Sequence, residues 1–138
     1  MRLKNTGRRK DRKVILKHVA LFCSSEEKSD KFYEELLNLK KKGSKILSSE
    51  LSKQIFNLDS EYKMINYIDN DIQFEIFINP EKRVFENKIE HICLKVDNFD
   101  AFIEKCRASG IKVKQIPKAD SSLITFISDY DGNLFEIK

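Results

Sequence analysis

The chain repeats itself, and this internal repeat constrains its fold more than any other feature of the sequence. The segment KHVALFCSSEEKSDKF, from Lys17, matches EHICLKVDNFDAF, from Glu90. Each has a charged residue, a histidine, an apolar strand-like run, a polar cap and an amphipathic helix, in the same order. The halves also end alike, since FEI occurs at 74–76 and again at 135–137, each time after an Asp/Asn turn. We therefore expect two copies of one supersecondary unit.

Hydrophobic spacing gives each half the order βαβββ. In the first half it predicts strands at 14–22, 44–48, 62–68 and 72–78, a helix over 26–38 and a short helix, capped by Ser49, that continues through Phe56. In the second half it predicts strands at 89–96, 111–116, 123–128 and 133–138, with one helix that ends at Gly110. Ser24 and Glu27 form a possible capping box for the first helix, and Gly43 is the predicted stop for that helix.

These elements predict a single α+β domain over 14–138. Module 1 covers 14–78, a linker covers 79–88, and module 2 covers 89–138. A module of about sixty residues buries too little surface to be stable alone. The two modules are therefore expected to pack on each other or on a second chain.

The excess of positive charge is confined to the start of the chain. Residues 1–17 hold eight Lys or Arg against Asp11 alone, whereas residues 18–138 carry a net charge of −3. We interpret residues 1–13 as a basic, disordered arm that is solvated. A nucleic-acid partner is not expected, because the rest of the chain offers no basic stripe to extend the contact.

The apolar runs and the cysteines of the sequence indicate in which cellular compartment the protein is expected. The sequence has no apolar run near the roughly 18 residues of a membrane span and no secretory h-region, so no membrane association is expected. The three cysteines, Cys23, Cys93 and Cys106, are odd in number and lack CxxC spacing. Reduced thiols in a cytoplasmic protein are therefore expected rather than a disulfide framework.

The repeat superposes four side chains of the kind that bind metals. His18 and His91 occupy the same position in the first strand of each half, and Glu75 and Glu136 the same position in the last strand. Each residue alone is ordinarily a hydrogen-bonded or solvated side chain. Here, however, the chain's only two histidines fall at equivalent positions, and two carboxylates brought together without a cation would repel. The four residues therefore predict one shared divalent-metal site.

Nitrogen and oxygen donors suit Zn, Ni, Co, Mn or Fe(II). Such an ion can stabilise an oxyanion, and a glutamate in or beside its shell is a candidate base for a proton next to a carbonyl. Strand alternation places four candidate pocket residues on the same faces as the ligands: Gln73, Phe77, Cys93 and Lys95. A solvated lysine and a small core residue are the alternative interpretations of Lys95 and Cys93.

The motifs KHVALF with His18, FEIFI with Glu75, EHICLKV with His91 and DYDGNLFEI with Glu136 give the chain a family likeness. It resembles the vicinal oxygen chelate superfamily, which includes glyoxalase I, bleomycin-resistance proteins and extradiol dioxygenases. The resemblance implies paired βαβββ modules that curl into a cup-shaped, partly open β-barrel. It also implies one metal held by a His and a Glu from each module, and a homodimer, since in many members the paired modules come from two chains.

Within the superfamily the ligand set is most similar to that of glyoxalase I. This similarity implies a metal-dependent lyase or isomerase that abstracts a proton next to a metal-bound carbonyl or hydroxyl of a small substrate. Glu136 is then the first choice of base and Glu75 the second. HVALFC lacks the arginine that glyoxalase I typically has close after its first histidine. The alternative function is non-catalytic binding of a drug or metabolite, as in the bleomycin-resistance branch.

Overall fold

The computed structural model describes residues 14–81 and 89–138. The predicted arm at 1–13 and most of the predicted linker lie outside these residues. Within them the two halves of the chain form two four-stranded sheets with the same strand order. None of the described helices is long and apolar enough to cross a membrane.

Module 1 contains four strands and two helices. The strands are β1 (Val19–Cys23), β2 (Lys40–Leu47), β3 (Tyr62–Ile68) and β4 (Gln73–Ile78). The helices are α1 (Glu26–Ser29), which continues as a π-helical segment (Asp30–Leu36), and α2 (Ser49–Phe56). The sheet order is β1-β4-β3-β2, with β1 parallel to β4 and the other neighbours antiparallel.

Module 2 repeats this arrangement without a counterpart of α2. Its elements are β5 (Ile92–Leu94), α3 (Phe99–Ala108), β6 (Val113–Pro117), β7 (Leu123–Ser128) and β8 (Leu134–Ile137). The sheet order is β5-β8-β7-β6, with β5 parallel to β8. The predicted pair of βαβββ modules in an α+β fold is therefore confirmed. In the described part of the chain no strand of one sheet pairs with a strand of the other, so the barrel is not closed within a single chain.

Both first strands are shorter than predicted. The sequence predicts strands over 14–22 and 89–96, whereas β1 begins at Val19 and β5 covers three residues. The residues left out flank β1 and β5, which are the edge strands of their sheets. The side chains of Ile15 and Ile89 are 64% and 83% exposed there. An edge strand has a neighbour on one side only, so its flanks stay unpaired in a single chain.

The predicted helix stop at Gly43 is wrong. Gly43 lies inside β2, at a register shift between Lys41 and Ser44 in the pairing with β3. Its φ of +106° is a conformation that other residues rarely adopt. Glycine at this position therefore serves a β-bulge, and the polar lysine run that precedes it belongs to an edge strand rather than to a helix.

The helix caps lie one residue away from the predicted ones. The side chain of Ser25, not Ser24, accepts a backbone N–H at the start of α1. The side chain of Ser48, not Ser49, does the same for α2. In both cases the N–H belongs to the third residue after the cap, which is the ordinary N-cap geometry.

One hydrophobic core joins the two modules. Phe135 of β8 is fully buried and packs against Phe32, Tyr33 and Phe74 of module 1, at ring-centroid distances of 5.3, 6.4 and 6.1 Å. Neighbouring residues in a strand point to opposite faces of the sheet. The side chain that follows Phe135 in β8 therefore points away from the core, as does the one that follows Phe74 in β4.

A buried polar cluster also crosses the module boundary. Asp129, in the turn between β7 and β8, accepts hydrogen bonds from Tyr33 Oη at 2.8 Å and from Asn133 Nδ2 at 2.7 Å. Its second carboxylate oxygen accepts the backbone N–H groups of Asp131 and Asn133, both at 2.9 Å. Asn133 also donates to the carbonyl of Phe22 at 2.9 Å. The cluster thus fixes this turn of module 2 against the first strand and first helix of module 1.

The three cysteines differ in environment, and this difference predicts their reactivity. Burial raises the pKa of Cys106 to about 11. Burial, with the nearby charges of Asp129 and Asp131, raises the pKa of Cys23 still further. Cys93 is exposed. Because the thiolate is the reactive form, brief treatment of the native protein with iodoacetamide should label Cys93 alone. Peptide mass spectrometry would check this, and early labelling of Cys23 would contradict it.

Candidate metal centre

The His/Glu pair of module 1 lies on the face of the first sheet that is turned away from the core. The parallel register of β1 and β4 pairs Ala20 with Glu75. His18 precedes Ala20 by two residues and shares its face. Its Nε2 lies 3.3 Å from Glu75 Oε1, and the two side chains are 43% and 20% exposed. Pairing of the strands therefore brings together two side chains that are far apart in the sequence.

The neighbours of Glu75 on this face are polar on one side and aromatic on the other. Gln73 donates from Nε2 to Asn66 Oδ1 at 3.2 Å, and Asn66 of β3 is the register partner of Glu75. Phe77 packs edge-on against the ring of Phe22, with centroids 6.5 Å apart. The two predicted pocket residues of β4 thus flank the carboxylate. Asn66 was not found from the sequence, because its position depends on cross-strand register.

The pair of module 2 has the same plan with a wider separation. His91 Nε2 lies 3.8 Å from Glu136 Oε1. His91 Nδ1 lies 2.7 Å from the carbonyl oxygen of Ile89, to which it donates. In the neutral ring this bond places the proton on Nδ1 and leaves Nε2 free to bind a metal. The ring of Phe126 meets His91 at 75°, with centroids 5.2 Å apart, and so limits the orientation of the imidazole.

Two more groups surround Glu136. Cys93 of β5 is its register partner, and Lys138 Nζ lies 4.0 Å from Glu136 Oε2. Lys138 is largely exposed, so this contact is a weak surface ion pair. Lys95 lies just beyond the end of β5 and is also exposed.

Each pair has the composition of half a metal site. An imidazole nitrogen and a carboxylate oxygen bound at right angles to one ion lie about 3 Å apart, close to the 3.3 Å in module 1. The donors fit Zn, Ni, Co, Mn and Fe(II). Within residues 14–81 and 89–138, however, no three His, Cys, Asp or Glu side chains are grouped closely enough to hold an ion. The single chain assembles both pairs but does not bring them to each other.

A cleft of about 660 Å³ lies between the modules, a volume typical of small-molecule sites. Four of the predicted site residues line it: His18, Gln73, Cys93 and Lys95. The other four lie outside its lining: Glu75, Phe77, His91 and Glu136. The cleft therefore reaches the candidate ligand His18 but none of the other three.

The fold and the two His/Glu pairs agree with a known family. The family model of the glyoxalase/bleomycin resistance protein/dioxygenase superfamily matches residues 15–137. The chain belongs to this superfamily. No protein of curated function matches the chain in sequence.

Solved structures with the superfamily fold superpose on most of the chain. A glyoxalase family protein from Enterococcus faecalis gives a TM-score of 0.68 at 19% identity, over 88% of this chain and 94% of that one. The fosfomycin resistance protein FosX from Listeria monocytogenes gives 0.66 at 19% identity, over 90% and 91%. FosX from Mesorhizobium loti gives 0.64 at 18% identity, over 88% of each chain. Structural similarity at 18–19% sequence identity shows that these proteins share a fold with this chain.

One of the Listeria FosX structures is that of a mutant in complex with Mn(II) and 1S,2S-dihydroxypropylphosphonic acid. It has a TM-score of 0.66 and 18% identity to this chain. A protein with this fold thus binds a divalent metal and a small oxygenated molecule.

Proposed function

We propose that the chain is a divalent-metal-dependent lyase or isomerase that removes a proton next to a carbonyl or hydroxyl of a small substrate. One observation carries the proposal: each module places one His/Glu pair on the sheet face opposite the core, with N–O separations of 3.3 and 3.8 Å. The superfamily includes metal-dependent proteins, and the donor set suits their metals.

The complete site is proposed to form between two copies of the chain. Strands β1 and β5 are both sheet edges, and His18 and His91 directly precede them. If β1 of one copy lies beside β5 of another, the two His/Glu pairs become neighbours. Twofold symmetry then creates two equal sites in a homodimer. Such pairing would also cover apolar side chains that are more than four-fifths exposed in the single chain: Val14 and Ile89.

Within this site the two glutamates have different surroundings. A divalent ion held by His18, Glu75, His91 and Glu136 would supply Lewis-acid stabilisation of an oxyanion. Glu136 is the proposed base, as the likeness to glyoxalase I implies. Its side chain is 22% exposed, about as much as the 20% of Glu75, and Lys138 Nζ lies 4.0 Å away. It takes the proton from the substrate carbon and returns it to the substrate. Glu75 is the second choice.

Elemental analysis of the purified full chain, after incubation with each of the five candidate metals, tests the proposal. We expect about one ion per chain, because a twofold dimer with two sites has one site per chain. Absence of bound metal after every incubation would contradict the proposal.

Proton exchange provides the catalytic test. The metal-loaded protein is mixed in D₂O with a panel of small 2-hydroxyketones, and loss of the carbon-bound proton is followed by NMR. The change Glu136→Gln should slow exchange by at least about 100-fold, because the amide cannot accept the proton. Glu90→Gln is the control, since Glu90 is exposed beside His91 and is expected to leave the rate within about twofold of wild type. Equal rates in the two variants would contradict the role of Glu136.

A second candidate function is non-catalytic binding of a small molecule. The cleft between the modules favours it, because 660 Å³ suffices for a small ligand and three of the four candidate metal ligands lie outside its lining. A ligand that binds the metal-free protein, and that binds equally well after His18→Ala, would support this function instead.

A further inference from the structure

The open face of module 1 carries a second, smaller cavity that the proposed chemistry does not use. Its volume is about 160 Å³. Side chains from β1, β2, α2, β3 and β4 line it, among them Ala20, Phe22, Leu47, Phe56, Tyr62 and Phe77. The lining is almost wholly apolar. Helix α2 has no counterpart in module 2, so the repeat alone does not predict this cavity.

The cavity lies directly beside the His18–Glu75 pair. Ala20 is the register partner of Glu75, and Phe77 follows Glu75 by two residues on the same face of β4. Two residues along a strand span about 7 Å. A ring in the cavity and an atom that contacts the pair can therefore belong to the same small molecule.

The aromatic rings around the cavity are inclined to one another. Phe22 and Tyr62 have centroids 5.4 Å apart at 51°, and Phe56 and Phe77 have centroids 6.1 Å apart at 70°. Inclined rings present both edges and faces, which is the arrangement that a further aromatic ring prefers. Phe56 is itself 50% exposed, so part of its ring is open to contact with a ligand.

The size of the cavity agrees with an aromatic ring. An apolar cavity of about 150 Å³ in another protein stays dry and binds benzene. A cationic ligand fits less well, because cation sites surround the charge with aromatic faces, whereas aliphatic side chains such as Leu47 form part of this lining. No acidic side chain is among the lining residues to balance a positive charge.

We propose that this cavity is a specificity subsite for an aryl ring of the substrate. The substrate then carries both an aryl ring and an oxygenated carbon that reaches the His18–Glu75 pair. This assignment of substrate class rests on the proposed function, but binding of the ring itself requires neither a metal nor catalysis.

The test is titration of the full chain, stripped of metal with EDTA, with 4-fluorotoluene observed by ¹⁹F NMR. We expect saturable binding at one site. The change Ala20→Leu, which fills the cavity from β1, should weaken binding at least about tenfold, and Leu47→Phe, which fills it from β2, should do the same. Ile46→Phe is the matched control, because Ile46 precedes Leu47 in β2, is 56% exposed and does not line the cavity. It should leave binding as in wild type.

Thermal unfolding of each variant establishes that it is folded. Absence of saturable binding, equal binding by both cavity-filling variants and wild type, or displacement of the arene by tetramethylammonium would each overturn the subsite. The outcome is separable from that of the proposed function. If the chain binds the arene but no metal, the subsite is supported and the proposed enzymatic function is contradicted. If it binds metal but no arene, the subsite is contradicted and the proposed function stands.

Discussion

Two chains that each lack one His/Glu pair are expected to regain metal binding when they are combined. The first carries His18→Ala and Glu75→Ala, and the second carries His91→Ala and Glu136→Ala. Alone, each should lose more than about 100-fold in metal affinity, since even the loss of a group that only supports a ligand can cost that much. Together, they form a dimer in which one site has all four ligands and the other has none.

Co-expression with two different affinity tags and tandem purification isolates this mixed dimer. We expect about one ion per two chains, because twofold pairing leaves one of the two sites intact. Mixed-tag dimers of either variant with itself are the matched controls and should contain no metal. If wild type binds metal and the mixed dimer does not, the four ligands come from one chain and the two-chain site is wrong. All four side chains are partly exposed, so their truncation should not unfold the protein.

Asp129→Ala is expected to destabilise the fold by about 3 kcal/mol or more, because it removes the acceptor of five hydrogen bonds, one of them from the thiol of Cys23. Each buried donor left without an acceptor costs about 1–3 kcal/mol. Asp129 is 5% exposed, and its donors include Tyr33 Oη and Asn133 Nδ2. Urea unfolding gives the free energy of unfolding, with the slope as a check on two-state behaviour.

Asp69→Ala is the matched control, because Asp69 follows β3 as Asp129 follows β7. Asp69 is exposed, and its side chain accepts a single backbone N–H, at 2.7 Å from Asn70 N. Its removal should cost less than about 1 kcal/mol. Tyr33→Phe, which removes one donor and leaves the carboxylate its other hydrogen bonds, should cost about 1 kcal/mol. Equal destabilisation by the two alanine substitutions would show that the cluster does not hold the modules together.

The sequence predicts the repeated architecture well because the signals for it are local. Alternating apolar residues locate β3, β4 and β7 to within one residue of their observed ends. The same periodicity places Phe32 and Ile103 on the buried sides of their helices. The prediction at Gly43 was wrong, because a glycine that follows several lysines is common both at the end of a helix and at a bulge in an edge strand. The sequence alone does not distinguish the two.

The candidate site is predictable only in part, because its geometry depends on pairing between distant strands. The repeat makes His18 equivalent to His91 and Glu75 equivalent to Glu136. Only the parallel register of β1 on β4 shows that His18 and Glu75 lie next to each other. The apolar cavity beside them requires α2 to fold over the sheet, so Phe56 and Phe77 meet through tertiary packing. No local pattern encodes such contacts, and none states whether the two pairs meet within one chain or between two.

The buried turn at Asp129 means that the two modules are no longer interchangeable. Its counterpart in module 1, residues 69–72, is exposed along its whole length, whereas Asp129, Asp131 and Asn133 are buried. A chain built from two copies of module 1 would therefore lack the anchor that engages Tyr33 and the carbonyl of Phe22. If the repeat arose by duplication, the copies have since diverged at this turn, while the strand order of the two sheets and the two His/Glu pairs have stayed alike.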